Sequence, residues 1–119
     1  MSGKYLAGRD ALAAGAWLNR DVFAQLISGD YVFSEDHDIS DLSGFVGDEI
    51  AVTGRRFLDG WAQCDELKFQ QVSGGNVAAI VFHTDRILLE YHDAIEGFPL
   101  TTNGGDIEVE ILQPGIFRL

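Results

Sequence analysis

The stretch 98-FPLTTNGGDIEVEIL-112 predicts a tight turn that leads into a half-buried β-strand. Its Asn-Gly-Gly run at 103–105 can supply the positive φ angles of a reversal, and Pro99 fixes one φ angle before it. From 106 to 112, Ile and Val alternate with Glu, which is the period of a strand with one solvated face. We therefore expect this stretch to organise the fold, with earlier strands as its neighbours.

Short apolar segments separated by turn residues predict strands along most of the chain. Asp59-Gly60 is a strong signal for a two-residue hairpin turn, and the apolar run 115–119 predicts that the sheet holds the end of the chain. The predicted strands are residues 22–27, 31–33 (a weaker signal), 49–53, 55–58, 61–64, 66–72, 77–83 and 87–92. Short strands with frequent turns predict a mainly β fold, an antiparallel sandwich or a barrel-like domain.

A chain of 119 residues suits a single domain, here 1–119. Residues 1–20 are expected to form an N-terminal helix or arm, and residues 21–119 the β core. Apolar residues recur near helical spacing between residues 4 and 14, which predicts one short helix with Gly15 as its stop, although Gly8 weakens it. For Trp17, core and surface positions both remain open.

The charge balance restricts the partners. Nineteen Asp and Glu against 8 Lys and Arg give a net charge of −11, which disfavours binding to nucleic acid and to anionic membranes. A basic or neutral protein surface is the expected partner. No segment approaches the roughly 18 apolar residues of a membrane helix. The single cysteine, Cys64, excludes an internal disulfide and is expected to be a small buried side chain.

Residues that could carry chemistry form no complete motif. The segment 30–49 holds seven carboxylates and no Lys or Arg, so it is either a solvated loop with one helical turn or a calcium site. The calcium interpretation would use Asp36, Asp38 and Asp41, but the glycine and final Glu of an EF-hand are missing at matching offsets. His37, His83 and His92 lack the spacing typical of metal ligands. We expect no cofactor, no metal and no enzymatic activity.

Six residues are candidates for an interface. Trp61 follows the hairpin turn, and together with Arg55 and Arg56 it could anchor a partner, with core packing as the alternative. Large apolar side chains at the end of the chain must be covered by the domain core or by a neighbouring subunit. These side chains are Ile116, Phe117 and Leu119.

A series of short motifs occurs in an order that resembles a family of small structural proteins of tailed-phage virions. The motifs are 22-VFAQLI-27, 37-HDISDL-42, 52-VTG-54, 59-DGW-61, 65-DELKF-69, 72-VSG-74, 89-LEY-91, 98-FPLTTNGGDI-107 and 115-GIF-117 before a terminal Leu119. The resemblance spans residues 22–119. The chain departs from the pattern at the apolar stretch 11–17 and at a shorter connection, 83–86.

The resemblance implies a structural part of the virion rather than a reaction, because the family has no catalytic motif to carry over. Its closest match in role is a capsid decoration or cement protein that stabilises the head lattice. The implied partners are the major capsid protein and the chain itself, as a homo-oligomer such as a trimer. The resemblance implies a location in the virion after synthesis in the host cytoplasm. A tail or baseplate accessory, or a glycan-binding adhesin module, is the alternative.

Overall fold

The structure is a computed structural model, and it describes residues 3–95 and 97–118. These residues contain twelve β-strands and two short α-helices. The helices are α1 (Leu6–Ala13) and α2 (Ala16–Asn19). The strands are β1 (Gly3–Lys4), β2 (Phe23–Ile27), β3 (Phe45–Ala51), β4 (Arg56–Leu58), β5 (Trp61–Gln63), β6 (Leu67–Phe69), β7 (Asn76–Val77), β8 (Ala79–Thr84), β9 (Ile87–His92), β10 (Leu100–Thr101), β11 (Ile107–Val109) and β12 (Phe117–Arg118). The mainly β, antiparallel fold class is confirmed.

The largest sheet has five strands in the order β1-β9-β8-β2-β3, with every neighbouring pair antiparallel. All six residues of its central strand β8 are buried. Ile80 and Phe82 belong to the core on one face, whereas Ala79 and Val81 belong to the core on the other face. The central strand is therefore apolar on both sides, as expected for a strand covered on both faces.

Three smaller antiparallel units help to cover one face of this sheet. They are a three-stranded sheet in the order β12-β5-β4 and the two-stranded ladders β10-β7 and β11-β6. Their inward side chains form the larger core together with α2 and the main sheet. Aromatic residues such as Tyr5, Tyr31 and Tyr91 form the smaller core on the opposite face. The arrangement is sandwich-like.

The prediction that residues 98–112 organise the fold is wrong. Their strands β10 and β11 contribute only to the two small ladders, and β11 ends at Val109 rather than at residue 112. The outward Glu side chains leave this stretch with only one face to bury. Strand β8 has two apolar faces, so it takes the central position instead.

The N-terminal segment contains a second helix that the sequence did not predict. Helix α1 is followed by Gly15, which has a φ of 92°, and the four residues of α2 then carry Trp17 into the larger core. The indole of Trp17 is fully buried, and its Nε1 donates a hydrogen bond to the carbonyl oxygen of Arg56 at 3.2 Å. Trp17 is therefore a core residue.

Helix α1 approaches β9 at Gly8. A Cβ atom at this position would lie 2.7 Å from the carbonyl oxygen of Leu89 and closer still to that of Leu88. Only a glycine fits between the helix and the strand backbone. The glycine that weakens the predicted helix is thus required by its packing.

Several strand predictions need correction, and the end of the chain matches expectation where it is described. The predicted strand 66–72 is observed only at β6, and the predicted strand 77–83 is divided between β7 and β8, which lie in different sheets. Residues 31–33 do not form a strand. Tyr31 is buried in the smaller core, and Phe33 packs against it. Strand β3 begins at Phe45, four residues before the predicted start, because Phe45 and Val46 pair with Ile27 and Leu26 of β2. At the end of the chain, β12 pairs with β5.

Candidate functional site

A cavity of about 620 Å³ opens beside Trp61. Most of its lining is apolar, and we call it the Trp61 cavity. Its main contributors are Trp61, Ile95, Phe98, Ile111, Leu112 and Ile116. These side chains come from β5, from the loop before β10 and from the segment between β11 and β12. The cavity thus lies where the three small units meet.

The β4–β5 hairpin positions the indole of Trp61. The turn residues Asp59 and Gly60 have φ angles of 52° and 82°, the left-handed pair that matches the twist of a tight hairpin. Trp61 pairs with Leu58 on one side and with Arg118 on the other. Directly paired residues project from the same face of a sheet. Trp61 therefore lies half-buried on the outer face, with Leu58 and Arg118 as its neighbours.

The opposite face of this three-stranded sheet belongs to the core. Phe57, Ala62 and Phe117 form the paired row that faces inward. The ring of Phe117 is 4% exposed and meets Trp17 edge-on, with 5.2 Å between ring centroids. Ile116 is 5% exposed and lines the Trp61 cavity. The domain core covers both side chains. The candidate Leu119 lies outside the described residues.

Carboxylates give the Trp61 cavity a negative edge. Glu108 and Glu110 line it, and the Nζ atom of Lys68 lies 3.9 Å from Glu108. A hydrogen bond shared with Glu108 raises the pKa of the neighbouring Glu66, with burial and charge repulsion acting in the same direction. This is the behaviour of carboxyl groups that crowd one another. The edge therefore favours a ligand or partner that brings positive charge.

His92 also lines the Trp61 cavity, at the end of β9. Burial lowers the pKa of its imidazole, and the nearby carboxylate of Asp93 only partly opposes this effect. The ring is consequently neutral at pH 7, where it can both donate and accept hydrogen bonds. It adds polarity to an apolar cavity without adding a positive charge.

The two arginines proposed as companions of Trp61 have different roles. Arg56 projects from the outer face, where it pairs with Gln63, and its guanidinium lies 3.8 Å from the carboxylate of Asp65. Arg55 instead donates a hydrogen bond to the carbonyl oxygen of Arg20 in the link between α2 and β2. Of these two arginines, Arg56 is the one that shares the outer face of the sheet with Trp61 and Arg118.

The acidic segment forms a capped turn. Asp38 accepts a hydrogen bond from the backbone N–H of Ser40, and Asp41 accepts one from the backbone N–H of Asp38, around the 3₁₀ turn Ile39–Asp41. Hydrogen bonds from serine hydroxyl groups lower the pKa of Asp36 and of Asp38. The predicted loop with one helical turn is confirmed for residues 30–44, whereas residues 45–49 belong to β3. Within residues 3–95 and 97–118, no three His, Cys, Asp or Glu side chains are grouped to hold a metal ion.

The remaining nucleophilic and titratable candidates are dispersed. Cys64 is buried in the larger core, and desolvation raises the pKa of its thiol to about 12, so the thiolate is disfavoured. His37 Nδ1 lies 2.8 Å from the hydroxyl of Tyr31. His83 is buried, with its Nε2 3.1 Å from the Glu49 carboxylate. These three side chains occupy separate environments.

No protein-family model, curated protein or solved structure matches this chain. Across the described part of the chain, no helix has both the length and the apolar character needed to cross a bilayer. The geometry of the Trp61 cavity must therefore be interpreted on its own.

Sequence reasoning identified Trp61 and Ile116 but missed the rest of the cavity. Phe98 and His92 reach it through pairings between distant segments, such as β10 with β7. No short motif encodes that convergence. The one available signal was composition, because the segment from 94 to 116 is rich in large apolar residues separated by Gly and Pro.

Proposed function

We propose that the chain is a structural protein of a tailed-phage virion, and specifically a capsid decoration or cement protein that docks on the head lattice through the Trp61 cavity. The observation that carries the docking surface is an open, mainly apolar cavity with an aromatic side chain on a β-sheet scaffold. The virion context rests on the ordered motifs that resemble phage structural proteins.

The lining and charge of the cavity define the segment that it accepts. Interface anchors are commonly large apolar side chains that enter a desolvated pocket, and Trp61 and Phe98 would contact such an anchor. Glu108 and Glu110 would attract Lys or Arg beside the anchor. The net charge of −11 strengthens long-range attraction to a basic surface. The proposed partner segment is therefore an apolar residue flanked by cations, supplied by the major capsid protein.

Self-association completes the proposal. Cement proteins act at points where several capsid subunits meet, and closed symmetry is the usual form of a homo-oligomer. A trimer at a local threefold position would present three Trp61 cavities to three equivalent lattice sites. Weak individual contacts would then combine, because each later contact forms within an assembly that is already bound.

Binding to purified heads that lack the protein tests the proposal. Wild-type protein should co-sediment with the heads and raise the temperature at which they release DNA. Trp61→Ala should lower the affinity for the heads about tenfold or more, as expected for the loss of a large aromatic contact at the centre of an interface. Phe45→Ala is the matched control, since Phe45 is 58% exposed and lies outside the Trp61 cavity. Equal binding by both variants, or absence of the protein from virions, would refute the proposal.

A glycan-binding role for the virion, in an adhesin or a tail accessory, is the second candidate. One observation favours it: the indole of Trp61 shares a cavity with Glu108 and Glu110, and an aromatic face with nearby carboxylates suits the apolar face and hydroxyl groups of a sugar. Titration with host surface glycans, followed by the fluorescence of Trp61, separates the two roles. Saturable quenching in the wild type, together with calorimetric binding that is lost in Trp61→Ala and no binding to heads, would favour the adhesin.

A further inference from the structure

A second cavity, of about 410 Å³, is lined by three cationic side chains. Lys4 in β1, Arg9 in α1 and Arg118 in β12 line it together with apolar surface from Leu12 and Ala13. We call it the cationic cavity. The whole chain has only 8 Lys and Arg against 19 Asp and Glu. Three of the eight cations therefore converge on one concave surface of an acidic protein.

Few carboxylates neutralise these cations. Lys4 Nζ lies 4.0 Å from Oε1 of Glu90, a β9 side chain that is only 3% exposed. Within residues 3–95 and 97–118, neither Arg9 nor Arg118 forms an ion pair, and Oε2 of Glu90 has no hydrogen-bond donor. Burial raises the pKa of Glu90 to about 7, so its negative charge is incomplete at neutral pH. The cavity keeps a net positive charge.

We propose that the cationic cavity docks an acidic segment of a second protein, with one carboxylate of that segment between Arg9 and Arg118. Guanidinium groups bind carboxylates through paired hydrogen bonds, which suits both arginines. Leu12 and Ala13 provide contact for the methylene groups or an apolar neighbour of the incoming acid. That apolar surface favours an amino-acid side chain over a bare inorganic anion. The overall charge of −11 opposes nucleic acid, and it also opposes an acidic segment at long range, so the local cations of the cavity must supply the attraction.

The acidic segment of another copy of this chain is a poorer occupant. Its side chains Asp36, Asp38 and Asp41 already accept hydrogen bonds within their own turn. Docking them elsewhere would break those bonds. The inference does not rest on the proposed virion function, because the two cavities share no lining residue; they are nevertheless neighbours, since Arg118 pairs with Trp61.

A fluorescein-labelled acidic peptide, Glu-Leu-Glu-Glu-Leu-Glu, is the probe, and the peptide with Gln in place of Glu is its control. Fluorescence anisotropy should show binding of the acidic peptide alone, weakening as salt increases. Arg9→Gln and Arg118→Gln should each reduce the affinity about two- to fivefold. Arg86→Gln is the matched control, because it removes an exposed positive charge outside the cavity.

Glu90→Gln should change the affinity for the acidic peptide in the opposite direction. It removes the carboxylate beneath Lys4 with little change of volume, so the affinity for the acidic peptide should rise. The inference is overturned if the acidic peptide does not bind, or if Arg86→Gln weakens binding as much as Arg9→Gln. It is also overturned if inorganic phosphate or a single-stranded oligonucleotide displaces the peptide at equal concentration. A change of sedimentation coefficient in Arg118→Gln alone would identify a second copy as the occupant and would likewise overturn it.

Discussion

Replacing Phe117 by alanine should destabilise the domain severely. The ring is 4% exposed, meets Trp17 edge-on at 5.2 Å, and has Lys4 Nζ 5.2 Å from its centroid on another side. Truncation of a buried phenylalanine costs about 3 to 5 kcal/mol, part of which is the aromatic contact. With an unfolding entropy of about 2.1 cal/mol/K per residue, the 119 residues give roughly 0.25 kcal/mol/K. The melting temperature should fall by about 12 to 20 °C.

Urea unfolding followed by tryptophan fluorescence measures this loss, and sedimentation velocity on wild type and variant shows whether an oligomer forms and whether the substitution changes it. Phe117→Leu, which keeps most of the volume, should cost about 1.5 kcal/mol or less. Phe45→Ala, at a 58% exposed aromatic, should change stability by no more than about 0.5 kcal/mol. A Phe117→Ala protein as stable as Phe45→Ala, or one that stays fully stable while its oligomer dissociates, would show that the ring is not part of the domain core.

Three further predictions concern buried contacts. Gly8→Ala should destabilise by about 1 to 3 kcal/mol in urea unfolding, although alanine favours an isolated helix; Gly29→Ala, whose Cβ would make only an ordinary contact with the Ala78 methyl group at 3.9 Å, should be near neutral, and equal effects would contradict the close approach. Tyr31→Phe should cost about 1 to 3 kcal/mol because it removes the hydroxyl 2.9 Å from the buried hydroxyl of Tyr5, and a double Phe variant should recover part of that loss. Burial raises the pKa of Glu90 from 4.5 to about 7, so the folded state holds this proton more tightly than the unfolded state does. The free energy of unfolding should therefore fall by on the order of 3 kcal/mol at most as the pH rises between those values. Glu90→Gln should flatten this pH dependence in a series of unfolding curves, and an unchanged slope would refute the prediction.

Sequence patterns located most strands because local chemistry determines them. Asp59 and Gly60 adopt the positive φ angles that their residue types favour, and the apolar run at 79–82 lies in β8, whose residues are all buried. The wrong prediction that residues 98–112 organise the fold has a different cause. Alternation at 106–112 indicates a half-buried strand, but it does not say which strand has neighbours on both sides. That property depends on long-range pairing.

Much less of the candidate site was predictable. Trp61 and Ile116 stood out by residue type, whereas Phe98 and His92 join them only through tertiary pairing. The cationic cavity was equally hidden, because Lys4, Arg9 and Arg118 lie at opposite ends of the sequence. Cations at positions so far apart carry no local signal. Packing of the two sheets against each other brings them together, with Lys4 Nζ over the ring of Phe117 and with Leu12 and Phe117 in the same core.

Because both faces of β8 are apolar, its register with the neighbouring strands β2 and β9 cannot be fixed by the separation of polar and apolar residues. In a strand with one polar face, a slip of one residue would send charged groups inward, and that cost fixes the pairing. In β8, Ala79 and Val81 occupy one face, and Ile80 and Phe82 occupy the other. A slip of one residue would exchange small side chains for large ones without moving a charged group into the core. Alignment must then rest on volume and on the bulge between Phe82 and His83. Mutations that equalise side-chain size across β8 should therefore yield misaligned, aggregation-prone chains even when mean hydropathy is unchanged.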